Sequence, residues 1–175
     1  MKSEISPYAL EPRAYLARPA ERLTLQGYRG WTWTVASRSP APWREVCRLY
    51  RSDLKENAEM ALQALSDFVE TLGLCAACPL RMRGPEAHGL CRDEALVLAL
   101  LAGLQHCDQA AIERSVSAIC CPAKAEDVTC AAGIYAVTLR MLDRYLLPIP
   151  LQVVGRICSA ETGLTPRPSG KPTLH

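Results

Sequence analysis

The stretch DEALVLALLAGLQH, residues 93–106, decides the fold that the sequence predicts. It places aliphatic side chains or alanine on every side of a helix, and only its two ends carry polar residues. A helix that is apolar all round is buried by its neighbours rather than lying at a surface. Asp93 and Glu94 fall in the first turn, where negative charge is favourable beside the helix dipole. We therefore expect a central helix surrounded by other helices.

Amphipathic patterns on both sides of this stretch predict four further helices. One begins at Pro42, where the missing N–H of proline costs nothing in the first turn. A second covers residues 58–72 and stops before a glycine, as helices commonly do. A third covers about residues 109–120, with Asp108 as its cap, and the last runs over about 127–147. The sequence thus predicts an all-α fold, a single irregular bundle of about five helices.

The length of 175 residues fits one domain. We expect its two ends to differ in structure from the helical part between them. Residues 1–41 are expected to be an extended N-terminal wrap, because GYRGWTWTVAS (27–37) alternates weakly around Trp31 and Trp33. The helical domain is predicted to span 42–150. Residues 151–175 are predicted to be a flexible C-terminal tail, since their last part is rich in proline and glycine.

Composition and charge limit the classes of protein to which this chain can belong. Hydrophobic residues make up 49% and charged residues 22% of the chain, which is typical of a globular protein. The net charge of +2 is far from the strong basic bias of a dedicated nucleic-acid binder. Residues 95–104 form the longest apolar run, which is too short to cross a membrane. No secretory apolar segment is recognised near Met1, so the expected location is cytoplasmic, without membrane contact.

The stretch CAACPLRMRGPEAHGLC, residues 75–91, carries the main candidate site. Zinc favours tetrahedral sets of thiolates and imidazoles, and a two-residue spacer lets one turn present two ligands. The intervening prolines and glycine allow the chain to fold back, and a helix start favours a thiolate at its first position. We therefore predict a structural zinc site with four ligands: Cys75, Cys78, His88 and Cys91.

Three other interpretations of the cysteines remain open. The nine cysteines are an odd number, and in a reducing compartment they would be thiols, ligands or packing residues. An iron–sulfur cluster would use Cys75, Cys78 and Cys91 with a fourth ligand from Cys120, Cys121 or Cys130, but the tight ferredoxin spacing is missing. Cys75 and Cys78 would alternatively form a redox-active pair.

A basic helix face suggests a second kind of site. Four cations at spacings of four, three and four residues fall on one side of the helix that begins at Pro42: Arg44, Arg48, Arg51 and Lys55. Arg29 and Arg38 precede them, interleaved with tryptophans that could stack on bases. The alternative is a solvated helix face, which is the usual role of such a stripe.

These patterns favour a small helical regulator or adaptor over an enzyme. The sequence contains no catalytic triad order, no glycine-rich phosphate loop and no metal-hydrolase motif. We expect a protein partner and a structural zinc ion, with no oligomeric state specified. A cysteine-based redox protein is the first alternative, and a regulator that contacts nucleic acid through the basic face is the second.

Overall fold

The computed structural model describes residues 12–75, 80–84, 87 and 89–159, and this part of the chain is helical without any strand. The helices in these ranges are α1 (Pro12–Ala17), α2 (Pro19–Ser37), α3 (Ala41–Leu54), α4 (Ala58–Cys75), α5 (Arg92–His106), α6 (Gln109–Ile119), α7 (Ala125–Met141) and α8 (Leu151–Ser159). Short 3₁₀ turns precede α4 and α7, at Lys55–Asn57 and Pro122–Lys124. The predicted all-α class is confirmed.

Helix α5 lies at the centre, as its apolar sequence predicts. It packs against α2, α6, α7 and α8. Leu96, Leu100 and Leu101 are fully buried. The predicted cap of the next helix is also confirmed, because the Asp108 carboxylate accepts a hydrogen bond from the backbone N–H of Ala111 at 3.1 Å.

The predicted extended N-terminal wrap over residues 1–41 is wrong for the part that the structure describes. Helix α2 occupies most of it and packs into the core against α3, α4 and α5. The helix can approach this closely because Gly27 faces the Tyr50 ring and Gly30 faces Val46, where no side chain would fit. Trp31 is half-buried and donates from Nε1 to the Ser66 hydroxyl at 3.0 Å. Trp31 and Trp33 are therefore residues of a helix and not of an extended segment. Residues 1–11 lie outside the described part.

The last predicted helix, over 127–147, ends earlier than expected, because Gln105 near the end of α5 forms hydrogen bonds with the backbone after residue 141. Helix α7 stops at Met141, and Asp143 adopts a left-handed conformation with φ 55°. The side-chain amide of Gln105 then accepts from the N–H of Leu146 at 2.8 Å and donates to the carbonyl of Arg144 at 3.0 Å. These bonds satisfy an extended backbone that would otherwise be unpaired.

The predicted flexible tail over 151–175 is wrong for its first nine residues. They form α8, which packs against α5 and α6. Val154 is fully buried between them. Residues 160–175 lie outside the described part. None of the helices that the structure describes is both long and apolar enough to cross a membrane.

Candidate functional site

The four predicted zinc ligands fall into two groups. Cys78 and His88 lie outside the described residues. Cys75 is the last residue of α4 and is buried, whereas Cys91 immediately precedes α5 and is half-buried. The two described cysteines have different partners, and the metal prediction through all four residues stays a prediction.

Cys91 acts as a helix cap. Its thiol donates to the carbonyl of Arg81 at 3.2 Å, and its backbone N–H donates to the Glu94 carboxylate at 2.9 Å. Burial raises the pKa of the Cys91 thiol, although backbone N–H groups at the start of α5 act in the opposite direction. Without a metal ion, desolvation outweighs the backbone N–H groups, so the pKa of the thiol lies above its ordinary value.

A buried ion pair holds the segment between α4 and α5. Arg29 on α2 binds the Glu94 carboxylate with Nε at 2.8 Å and Nη2 at 3.0 Å. The same guanidinium donates to the carbonyls of Ala87 at 2.8 Å and Gly89 at 2.6 Å. Glu94 also accepts from the backbone N–H of Arg83 at 2.8 Å. The connection is thus fixed to α2 and α5 by a charged hydrogen-bond network that the spacing of residues 75–91 did not reveal.

A group of thiols lies at the C-terminal end of α4. The sulfur of Cys75 is 3.6 Å from the sulfur of Cys121, which follows α6 and begins the turn before α7. Cys121 is half-buried and Cys75 is buried, so the pair has an accessible and an inaccessible member. Because 46 residues separate them in the chain, no local spacing indicates that they meet.

The third member of this thiol group is Cys120, beside the pair. Burial, together with the neighbouring sulfurs of Cys75 and Cys121, raises the pKa of Cys120 to about 12. It therefore remains a neutral thiol near pH 7. The ammonium of Lys124 has a raised pKa, mainly from its hydrogen bond to Asp127, with smaller contributions from Cys121 and Cys75. The Asp127 carboxylate, 2.9 Å from the Lys124 ammonium, balances its positive charge.

The sulfurs of Cys75 and Cys121 are in van der Waals contact, at 3.6 Å. Both residues are free thiols in this structure. A disulfide has an S–S distance of about 2.05 Å, so the sulfurs would have to approach by about 1.5 Å. Across the ranges that the structure describes, no group of three or more histidine, cysteine, aspartate or glutamate side chains is arranged to hold a metal ion.

The predicted basic face is exposed on α3 and the turn after it. The residues concerned are Arg44, Arg48, Arg51 and Lys55. Arg48 pairs with Glu45, and Arg51 pairs with Glu59 at 2.8 Å, all with exposed side chains. Arg29 cannot extend this face, because it is buried in the ion pair with Glu94. The nucleic-acid interpretation stays a prediction that rests on α3, the turn after it and the exposed Arg38.

Comparisons of the chain with protein-family models, with curated proteins and with solved structures gave no match.

Proposed function

We propose that this protein is a helical, non-enzymatic regulator whose thiol pair Cys75–Cys121 forms a reversible disulfide. The observation that supports the proposal is the sulfur–sulfur distance of 3.6 Å between the last residue of α4 and the start of the turn before α7. This proposal keeps the predicted class of regulator. Its redox pair is Cys75–Cys121 instead of the predicted Cys75–Cys78, because Cys78 lies outside the described residues.

The proposed oxidation uses a hydroperoxide as the oxidant. The thiolate of Cys121, the more accessible member, attacks the outer oxygen of ROOH, the O–O bond breaks, and the leaving RO⁻ takes a proton from water to give ROH. The Cys121 sulfenic acid is then attacked by the sulfur of Cys75, so that the S–S bond forms and water leaves. A small thiol reductant reverses the reaction by thiol–disulfide exchange.

Disulfide formation would link the end of α4 covalently to the connection between α6 and α7. Cys75 ends α4, and Cys121 lies between α6 and α7. Closing a loop of this length restricts the unfolded chain, which corresponds to a stabilisation of about 4 kcal/mol. The oxidised protein should therefore be the more stable form, and the end of α4 should be less free to move.

The predicted zinc site competes with this proposal for one sulfur. Cys75 is a member of both sets, so a Cys75 that is held by zinc is unavailable for a disulfide. Metal analysis of the protein purified under reducing conditions distinguishes the zinc site from the Cys75–Cys121 thiol pair. One zinc ion per chain, lost in Cys78→Ser but kept in Cys121→Ser, favours zinc. A chain without zinc favours the thiol pair.

The direct test counts thiols in native protein after a short treatment with hydrogen peroxide. Wild type should lose two thiols, and a dithiol reductant should restore both. Cys75→Ser should lose no pair of thiols, because its partner sulfur is missing. Cys47→Ser, which removes a half-buried thiol on α3, should behave like wild type. Equal thiol loss in wild type and Cys75→Ser would contradict the proposal.

A further inference from the structure

Helix α7 has two apolar faces, and only one of them is covered in the described structure. Tyr135 and Leu139 are buried against the core. On the other side, Ile134, Val137 and Met141 are 59%, 57% and 70% exposed. These three residues and Cys130, also exposed, fall on one side of the helix at spacings of three and four residues. They form a continuous row that we call the α7 stripe.

A groove begins where the α7 stripe ends. It lies between α6 and α7, has a volume of about 600 Å³, and has Ile112 and Val116 of α6 among its lining residues. Thr129 and Cys130 line it from α7, so the groove and the stripe share Cys130. The groove is therefore apolar, open to solvent and continuous with an exposed apolar face.

The groove carries negative charge along its edges. Glu113 on α6 and Glu126 on α7 line it with exposed side chains, and among its described lining residues there is no lysine or arginine. Glu113 accepts a hydrogen bond from the uncharged side chain of Gln109 at 2.8 Å. A bond of this kind leaves the carboxylate charge unneutralised.

We propose that this groove and the α7 stripe bind an amphipathic helix of a partner protein, one that carries basic residues beside its apolar face. From Glu126 to Met141 the surface extends about 22 Å, which is the length of about four helical turns. Helix-in-groove recognition uses apolar anchors at spacings of three and four residues, matching the row on α7. Lysine or arginine side chains of the partner would meet Glu113 and Glu126.

The acidic edges argue against a second copy of this chain as the occupant through the same surface. In a two-fold contact the same patch meets itself. If the two-fold axis passed through the groove, Glu113 and Glu126 of one copy would face the same carboxylates of the other. Like charges at a contact disfavour association and select against the wrong partner. Cys120 and Pro122, the two neighbours of Cys121 in the chain, also line the groove, so binding is tested on reduced protein, in which the Cys75–Cys121 disulfide is absent.

The test uses a labelled synthetic helix and fluorescence anisotropy at low salt. The probe has about 18 residues, with leucines on one face and lysines beside them, and a second probe has glutamates in place of the lysines. Wild-type protein should bind the lysine probe at least about tenfold more tightly than the glutamate probe. Equal affinity for both probes would overturn the proposal.

Variants locate the binding surface. The double variant Glu113→Lys/Glu126→Lys and the double variant Ile134→Ser/Val137→Ser should each weaken binding at least about tenfold. The matched controls Glu70→Lys and Leu74→Ser change exposed residues of α4 and should leave the affinity unchanged. Circular dichroism verifies that every variant is folded. Unchanged binding in both double variants, or a wild-type dimer in sedimentation that Ile134→Ser dissociates, would contradict the proposed occupant.

Discussion

The guanidinium of Arg29 and the carboxylate of Glu94 form a two-point ion pair in the interior, with side chains that are 2% and 0% exposed. Two helices that are 65 residues apart in sequence meet there, α2 through Arg29 and α5 through Glu94. The remaining hydrogen bonds of both groups go to backbone atoms of the connection between α4 and α5. A buried charge pair of this kind makes the removal of either partner costly, since the other is left buried and uncompensated.

Removing the cation is therefore expected to destabilise the fold strongly. Arg29→Ala should lower the free energy of unfolding by about 3–5 kcal/mol, measured by urea denaturation, because Glu94 and two carbonyls lose their donor. The control is Arg48→Ala, which breaks the exposed pair with Glu45 and should cost less than about 1 kcal/mol. Similar losses in the two variants would contradict the structural role of the buried pair.

The same pair predicts a pH dependence. Burial alone would raise the pKa of Glu94, but the hydrogen bonds from Arg29, Arg83 and Cys91 outweigh it and hold the pKa below its ordinary value of 4.5. Because the folded-state pKa is the lower one, the stabilisation is complete above the ordinary value and is lost as the pH falls through the folded value.

The corresponding measurement compares wild type with Glu94→Gln across acidic pH. The stability difference between them should be largest near neutral pH and should shrink as the pH is lowered from about 6 toward 3. A difference that stays constant over this range would show that the ionisation of Glu94 does not stabilise the folded state.

The close approach of α2 to α3 gives a third prediction. A Cβ atom at Gly30 would overlap the Val46 side chain and lie 3.3 Å from the carbonyl oxygen of Pro42. Gly30→Ala should therefore destabilise the protein by about 1–3 kcal/mol, because both helices must shift. Gly133→Ala is the control on α7, where a Cβ meets nothing within 4 Å, and it should be stabilising by about 0.5–1 kcal/mol. Thermal melts that rank the two variants in the opposite order would contradict this packing.

The contrast between α5 and α2 shows which parts of the fold were predictable. The apolar residues 93–106 have no alternative to burial, so their pattern alone predicts the central helix. Helix α2 has a buried arginine and two glycines in its middle, and each is favourable only because of a partner far away in the chain. Its local pattern therefore suggested an exposed, extended segment.

The candidate site was predictable only in part, for a similar reason. Cys75 was recognised from its spacing to Cys78, and Cys120 and Cys121 were considered only as a fourth ligand of a cluster. What brings Cys121 to Cys75 is the packing of α4 against α7, which places the turn before α7 beside the end of α4. The spacing of residues in a sequence can indicate ligands that lie on the same turn of the chain. The contact between Cys75 and Cys121 instead depends on how distant helices pack.

The most direct test of the central claim is a map of the disulfide by mass spectrometry. Native protein is treated with hydrogen peroxide, alkylated and digested with trypsin, which places Cys75 and Cys78 in the peptide 56–81 and both Cys120 and Cys121 in 115–124. We predict a reducible link between these two peptides that persists in Cys78→Ser and Cys120→Ser and disappears in Cys121→Ser. A closed loop within peptide 56–81, or no link at all, would contradict the proposed Cys75–Cys121 pair.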